Sequence, residues 1–108
     1  MSKYKAIFQL AEKLKEAGIP FDFHDRSRKE MGIEKYQIEY PAGYANKNQR
    51  RKCSVIEGDG SYGRFDDLLE IMGLLTEEEE KRDCVVGWLT VDDVFNRIQA
   101  DYTKGAEQ

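Results

Sequence analysis

A glycine-rich segment, residues 58–63, is the part of the sequence that comes closest to a known chemical motif. Its residues GDGSYG fit the pattern GxGxxG between a predicted strand and a predicted helix, where backbone amides can cradle a phosphate. A dinucleotide-binding fold needs parallel strands around a crossover helix, whereas three strands are predicted before this segment. Asp66 and Asp67 follow it and would repel a phosphate at the start of the helix. We therefore interpret the segment as a turn whose glycines adopt positive φ angles.

The single histidine, His24, is the sequence's candidate for a general base. Asp22 and Asp25 lie close to it in the chain, so one interpretation is an enzyme that uses these three residues near a basic substrate loop. One histidine does not form a triad, and a histidine at the end of a strand more often serves as a surface or hydrogen-bonding residue. We therefore assign no catalytic residue, and the sequence favours a protein that is not an enzyme.

Metal ligands would have to come from two cysteines, the histidine and clustered carboxylates. Cys53, Cys84 and His24 show no CxxC, HxxxH or HExxH spacing. The four adjacent acids at 77–80 point around a helix and not toward one ion. The sequence therefore predicts no metal and no cofactor. It also predicts two reduced cysteines that pack in apolar surroundings and react slowly.

Two basic connections are the strongest candidates for a binding site. The segment 46–52 carries four cations and no acid, and the connection 25–32 adds three more cations. Nearby tyrosines can provide stacking surfaces, and cations beside aromatic rings are what single-stranded nucleic acids use. In a β-meander, however, the two connections need not lie at the same end of the sheet. The candidate binding residues are Arg26, Arg28, Lys29, Tyr44, Lys47, Arg50, Arg51, Lys52 and Tyr62.

The composition limits the kind of protein that carries these residues. The chain has 108 residues, 40% of them apolar and 35% charged, which suits one compact domain. Its apolar runs of about four residues are far shorter than the ~20 needed to cross a bilayer, so a membrane span is excluded. The N-terminus shows no secretory signal, and we expect a cytoplasmic location. Residues 1–56 carry 12 Lys/Arg against seven acids and residues 57–101 carry four against 13, so the two halves have opposite charge.

Apolar spacing and turn residues predict an α+β fold in a single domain over residues 1–102, followed by a frayed tail over 103–108. A small antiparallel three-stranded sheet packs against helices in the order αβββα, and a short acidic helix and a C-terminal helix follow. Residues 84–86 either form a short fourth strand or are a connection. The predicted elements are a helix over 3–17, strands over 19–23, 36–40 and 53–56, a short helix over 65–72, an acidic turn over 77–80, a strand or connection over 84–86 and a final helix over 91–102.

One hydrophobic core is expected to join these elements, because the apolar positions of each predicted helix and strand fall on one face. Leu69 is expected to lie at its centre, on the inner face of the predicted helix over 65–72. The predicted core residues are Ile7, Phe8, Leu14, Ile38, Val55, Leu68, Leu69, Val94, Phe95 and Ile98.

The order helix, three strands, helix over residues 3–73 resembles that of the double-stranded RNA-binding domain. The resemblance implies duplex recognition by cations at the start of the second helix, where residues 61–67 hold Arg64 as their only cation. With a strand at 84–86 added, the order also resembles the restriction-endonuclease-like core. That resemblance implies a divergent nuclease, in which an acid and a later acid-x-lysine pair hold a catalytic metal. The segments to compare with that pair are Glu34-Lys35, which are adjacent and not spaced, and Glu39, which no lysine follows at that spacing.

The charged α+β body and the segment 87–95 (GWLTVDDVF), which opens the last helix, resemble small uncharacterised proteins of bacterial phages and prophages. This resemblance implies an interaction role in preference to metabolic catalysis.

We therefore expect a non-enzymatic binding or accessory module that contacts its partner through the basic 46–52 loop. Protein and nucleic acid both stay open as partners. The alternatives are a weak, sequence-tolerant nucleic-acid-binding domain, a divergent nuclease-like enzyme, and a protein adapter that uses the acidic helix and Trp88. The oligomeric state is not predicted.

Overall fold

The computed structural model describes residues 3–43 and 50–106 of the chain. Two 3-10 turns, Lys29–Met31 and Arg64–Asp66, lie between the main elements. The helices and strands are α1 (Ala6–Glu16), β1 (Asp22–Asp25), β2 (Lys35–Tyr40), β3 (Cys53–Gly58), β4 (Leu69–Met72), α2 (Glu77–Arg82), β5 (Val85–Leu89) and α3 (Val91–Ala106).

The strands form one antiparallel sheet in the order β1-β2-β3-β4-β5, so each strand pairs with its neighbours in the chain. This confirms an α+β fold with an antiparallel sheet and helices, but the predicted number of three or four strands is wrong. The described residues contain five strands, because the segment predicted as a helix over 65–72 and the segment over 84–86 both contribute strands to the meander. The order αβββα is therefore replaced by α1, four strands, α2, β5 and α3.

The helix predicted over 65–72 is wrong, because this segment contains a 3-10 turn and then β4. Leu69 and Ile71 are fully buried, while Glu70 and Met72 point to the other side, which is the alternation of a strand. Val55 of β3 pairs with Ile71. A short apolar run fits both the 3.6-residue period of a helix and the two-residue period of a strand. The long-range pairing with β3 makes this segment a strand.

The segment 84–86 was predicted as a strand or a connection, and its last two residues, Val85 and Val86, begin β5 while Cys84 precedes the strand. Val85 and Val86 pair with Met72 and Ile71 of β4. The register then shifts before Leu89 reaches Leu69. Trp88 adopts a left-handed conformation with φ of 57° at this irregularity. β5 leads directly into α3, which extends through residues 103–106, a part of the segment assigned to the tail.

Helices α1 and α3 pack together on one face of the sheet and form the core with it. The predicted core residues of this layer are buried, except that Phe8 is 40% exposed and Leu68 and Phe95 are only partly buried. Cys53 lies in the core, whereas Cys84 is exposed, so apolar packing of both cysteines is wrong for Cys84.

Candidate functional site

No helix in the described part of the chain covers the face of the sheet opposite α1 and α3, and we call this face the open face. Because side chains alternate along a strand, Tyr36, Ile38 and Tyr40 of β2 point toward the helices while the residues between them point away. The same alternation holds on the neighbouring strands. The open face therefore carries Asp22 and His24 of β1, Lys35, Gln37 and Glu39 of β2, Ser54 and Ile56 of β3, and Glu70 and Met72 of β4.

Glu39 lies at the centre of a charged cluster on the open face. Its side chain is only 10% exposed because basic side chains surround it. His24 Nε2 lies 2.9 Å from Glu39 Oε1, and Arg51 Nη1 lies 2.9 Å from Glu39 Oε2. Arg26 Nη2 lies 3.9 Å from Oε1 and its Nε donates to Gln37 Oε1 at 3.0 Å. The negative charge of Glu39 is therefore balanced within the protein.

The three residues of the enzyme interpretation are not joined to one another. Asp22 Oδ2 accepts the amide of Gly43 at 2.9 Å, and Asp25 Oδ1 accepts the amide of Ser27 at 2.9 Å. Hydrogen bonds from Ser27 lower the pKa of Asp25. His24 instead meets Glu39, a contact between strands that the local sequence around His24 does not indicate.

A concavity of about 480 Å³ lies on the open face beside the connection between β1 and β2. Arg26, Arg28 and Lys35 contribute three cations to its wall, and Ile33 and Ile56 provide an apolar floor. Among the residues that the structure describes, Arg28 and Lys35 form no ion pair.

Asp59 is the one acid that the concavity's wall includes. Its Oδ1 accepts the hydroxyl of Tyr4 and its Oδ2 accepts the amide of Glu34 at 2.9 Å. The amide of Glu34 first, and then the Tyr4 hydroxyl, lower the pKa of Asp59 to about 2. Both oxygens are therefore committed to the protein, and the three cations dominate the concavity.

An exposed pair of aromatic rings lies on the open face at the other side of the sheet. Tyr62 and Trp88 are stacked with ring centroids 5.5 Å apart and planes inclined by 19°. They are 51% and 60% exposed. The amide of Tyr62 donates to Glu70 Oε1 at 2.9 Å. A Cβ atom on Gly87 would lie 2.3 Å from the Cβ of Tyr62, so the absence of a side chain at Gly87 lets Tyr62 lie on β5.

The two basic connections lie at opposite ends of the sheet. Lys35 pairs with Gly58 at the end where the β1–β2 connection lies, and Tyr40 pairs with Cys53 at the other end. Arg26 and Arg51 nevertheless both reach Glu39 on the open face. The structure thus brings one side chain from each basic connection to the same carboxylate.

The remaining predicted binding residues are distributed over other surfaces. Lys52 Nζ lies 2.9 Å from Asp101 Oδ2 of α3, on the helix side of the sheet, and the exposed Arg50 lines a cleft beside it. Lys29 is exposed in the 3-10 turn after β1. Tyr44 and Lys47 lie outside the described residues.

The glycine-rich segment forms a turn, as the sequence analysis interpreted it. Gly60 and Gly63 have φ angles of 92° and 96°. Ser61 Oγ donates to the carbonyl of Gly58 at 2.8 Å and accepts its amide at 3.1 Å. The backbone amide of Gly58 is therefore used within the turn.

Glu79 of the acidic helix and Trp88 make contacts with different elements. A capping box begins α2, because Thr76 Oγ1 accepts the amide of Glu79 and Glu79 Oε1 accepts the amide of Thr76. Glu79 also forms two hydrogen bonds to Arg97 of α3, at 2.7 and 2.9 Å. Arg97 first, and then the amide of Thr76, lower the pKa of Glu79 to about 2. Trp88, by contrast, packs on Tyr62.

Lys35, Gln37 and Glu39 are site residues that the candidate set missed. They alternate with Tyr36, Ile38 and Tyr40 along β2, so the sequence places them on the opposite face of the strand. This alternation identifies a solvent-facing surface only once helices are known to cover a single face of the sheet. In the described part of the chain, no group of three or more His, Cys, Asp or Glu residues is arranged to hold a metal ion. No helix described here is long and apolar enough to cross a membrane.

Comparisons with protein families, with curated proteins and with solved structures find no match to this chain.

Proposed function

We propose that this domain is a non-enzymatic module that binds single-stranded nucleic acid weakly, and with little sequence preference, on the open face of its sheet. The observation that carries the proposal is the presence of an exposed stacked aromatic pair and a cation-lined concavity on the same uncovered face. Cations that follow a backbone and rings that stack on bases are the two components of sequence-tolerant single-strand binding.

The charges of the open face support phosphate contacts of modest strength. The carboxylates of this face already accept partners from the protein, as Glu39, Asp22 and Glu70 do. Arg28 and Lys35 form no ion pair within the described residues, so they can meet phosphates without first losing one. The four permanent cations of the face are Arg26, Arg28, Lys35 and Arg51. Because the whole chain has a net charge of −4, we expect the affinity to depend on these local contacts.

The aromatic pair supports contacts to bases. Tyr62 and Trp88 present more than half of their surface to solvent, and base stacking on such rings contributes about 1–3 kcal/mol per base. Four strand spacings separate β1 from β5, a distance of roughly 19 Å. A short single strand can therefore place phosphates near the concavity and bases near the rings at the same time.

A single strand fits this surface better than a duplex. The bases of a duplex are stacked on one another and are not free to stack on Tyr62 and Trp88. The resemblance to the double-stranded RNA-binding domain implied a cationic second helix, but that segment of the chain forms β4 and not a helix. The basic loop still belongs to the proposal through Arg51, which lies on the open face.

Fluorescence anisotropy with short labelled oligothymidylate and oligouridylate tests the proposal. Four phosphate contacts predict a log-log salt slope of about −2.8, so the affinity should fall roughly 50-fold between 50 and 200 mM salt. The double variant Arg28→Ala/Lys35→Ala should halve that slope to about −1.4. Lys81→Ala/Arg82→Ala removes the same charge from the exposed surface of α2 and should leave the slope unchanged.

The contribution of stacking is tested separately. Trp88→Ala should weaken binding roughly 5- to 150-fold with the salt slope unaltered, because it removes no charge. Phe65→Ala is the matched control, since Phe65 is an aromatic residue that is 87% exposed and belongs to the turn Arg64–Asp66 and not to a strand of the sheet. Absence of binding at 50 mM salt would contradict the proposal. So would an equal loss of affinity in Trp88→Ala and Phe65→Ala, or an equal change of salt slope in the two double variants.

A further inference from the structure

The outer edge of β1 leaves main-chain groups available for another strand. β1 is the first strand of the sheet and pairs only with β2 among the described strands. The amide of Arg26 donates to the carbonyl of Lys35 at 2.8 Å. Antiparallel pairs alternate between hydrogen-bonded and non-hydrogen-bonded positions, so the N–H and C=O groups of Phe23 and Asp25 point away from β2.

An apolar groove of about 300 Å³ runs between this edge and α1. Phe8 and Phe23 are 40% and 36% exposed there, and their ring centroids lie 5.3 Å apart. Ala11 and Phe21 complete the apolar lining. The nucleic-acid surface does not use these aromatic residues, because they lie on the helix side of the sheet.

We propose that a second copy of this chain occupies this edge and groove. The two β1 strands pair antiparallel about a two-fold axis, with Phe23 opposite the Phe23 of the second copy. The arrangement extends the sheet to ten strands and covers both aromatic grooves. It goes beyond nucleic-acid binding and does not depend on it.

The register follows from the outward-facing groups. A two-fold axis can pass through a hydrogen-bonded pair, which in β1 means Phe23 or Asp25 opposite itself, or through a non-hydrogen-bonded pair, which means Asp22 or His24 opposite itself. A pair centred on Asp22 places two carboxylates opposite each other and one centred on His24 places two imidazoles there, and neither places Phe23 opposite itself. A pair centred on Asp25 would place two carboxylates directly opposite each other, which is destabilising. A pair centred on Phe23 places two aromatic rings there instead.

The polar side chains of β1 are compatible with the same register. With Phe23 at the centre, Asp22 lies opposite the His24 of the second copy, so no two carboxylates face each other there. On the rim of the groove, Glu12 and Lys15 have opposite charges and lie 3.8 Å apart. A two-fold copy therefore meets a rim with no net charge.

The opposite edge of the sheet is less suited to pairing. In β5, the left-handed conformation of Trp88 interrupts the strand, and Tyr62 lies on Gly87. Irregularities of this kind are a common way to protect an edge strand. β1 has no such irregularity between Asp22 and Asp25.

Light scattering coupled to size-exclusion chromatography tests the dimer. At increasing concentration the mass should rise toward twice the 12.5 kDa of one chain. Phe23→Lys places two like charges on the axis and should weaken association at least about tenfold, which corresponds to ~1.4 kcal/mol. Phe65→Lys makes the same change at an exposed aromatic residue elsewhere and should leave association unchanged. Urea unfolding of both variants shows whether each is folded.

Disulfide trapping tests the register without relying on Phe23→Lys. In a Cys84→Ser background, Phe23→Cys should form a covalent dimer under mild oxidation, because hydrogen-bonded cross-strand Cα atoms lie about 5.5 Å apart, within disulfide range. Asp25→Cys should not, since its two copies would be roughly 14 Å apart along the strands. A mass that stays at one chain at all concentrations, or equal trapping rates for the two cysteine variants, would overturn the proposal.

Discussion

Glu57 and Asp67 together accept the first free amides of α1. Glu57 Oε1 accepts the amide of Ile7 at 3.1 Å, and Asp67 Oδ1 accepts the amides of Lys5 and Ala6 at 2.8 and 3.1 Å. The residue at the N-cap position, Lys5, makes no side-chain capping bond. The helix is therefore capped by two carboxyl groups from the distant β3 and the segment before β4, which supply acceptors for amides that have no partner within the helix.

The buried Glu57 makes stability depend on pH. Its side chain is fully buried, and its Oε2 has no hydrogen-bond partner in the described structure. Burial first, and then the neighbouring Asp67, raise the pKa of Glu57 to about 8. Because the folded-state pKa is raised, the stabilising contribution is complete below about pH 4.5 and is lost as the pH rises through about 8.

We predict that Glu57→Gln removes this loss, because glutamine keeps the acceptor for Ile7 and cannot ionise. The free energy of unfolding of the variant should rise relative to the original chain between pH 5 and pH 8, by up to about 1.4 kcal/mol per pH unit. Urea titrations at several pH values measure this. The same change at the exposed Glu77 should have no such effect, and parallel pH profiles for Glu57→Gln and the original chain would contradict the prediction.

Glu79 should act in the opposite direction, because its pairing with Arg97 lowers its pKa to about 2. A lowered folded-state pKa gives a contribution that is present above about pH 4.5 and is lost as the pH falls through about 2. Glu79→Gln should therefore reduce stability at pH 6 and have a smaller effect at pH 2. Thermal unfolding followed by circular dichroism measures both values. An equal loss at the two pH values would show that the ion pair is not responsible.

We predict that Leu69→Ala costs about 2–5 kcal/mol of unfolding free energy, because this fully buried side chain lies in β4 against the core. Phe65→Ala should change stability by less than about 0.5 kcal/mol, since its side chain is largely in solvent. A helix over 65–72 would have placed both residues on one buried face. Similar losses for the two variants in urea would therefore support that helix and contradict β4.

Gly87→Ala should separate the aromatic pair, because the new Cβ would lie only 2.3 Å from the Tyr62 Cβ and one of the two must move. Trp88 is the only tryptophan in the chain, so its fluorescence reports directly on the loss of the stacked ring. We expect a change in its emission together with weaker oligonucleotide binding. Gly105→Ala introduces a Cβ with no atom within 4 Å and should change neither property. Unchanged emission from Gly87→Ala would show that the pair does not need this glycine.

The two cysteines should differ in reactivity. Burial raises the pKa of the Cys53 thiol to about 12, whereas Cys84 is exposed. Because the thiolate is the reactive form, iodoacetamide should modify one thiol in the folded protein and the second only after unfolding. Mass spectrometry counts the adducts, and Cys84→Ser should remove the fast one. Fast modification at Cys53 would contradict its burial.

Much of the fold can be predicted from local patterns. The spacing of apolar residues predicts α1, and the capping pair of Thr76 and Glu79 predicts α2. Thr90 likewise accepts the amide of Asp93 at the start of α3. β4 could not be recognised, because Leu68, Leu69 and Met72 satisfy a helical period and only pairing with β3 makes the segment a strand.

The candidate site was less predictable than the fold. Arg26, Arg28 and Tyr62 were found by residue type. Their placement depends on the sheet, which separates the two basic connections to opposite ends and yet joins Arg26 to Arg51 through Glu39. The pairing of Tyr62 with Trp88 depends on a left-handed residue in β5, which no local pattern specifies.

The long-range capping of α1 also bears on the order in which the chain is made. α1 leaves the ribosome before the other helices and strands described here, and a helix of 11 residues is marginal by itself. Its capping groups are synthesised only with residues 57 and 67, and its packing partner α3 follows them in the chain. We therefore expect that a nascent chain arrested before α3 exposes the apolar side of α1, and that it binds a hydrophobic dye which the completed protein releases.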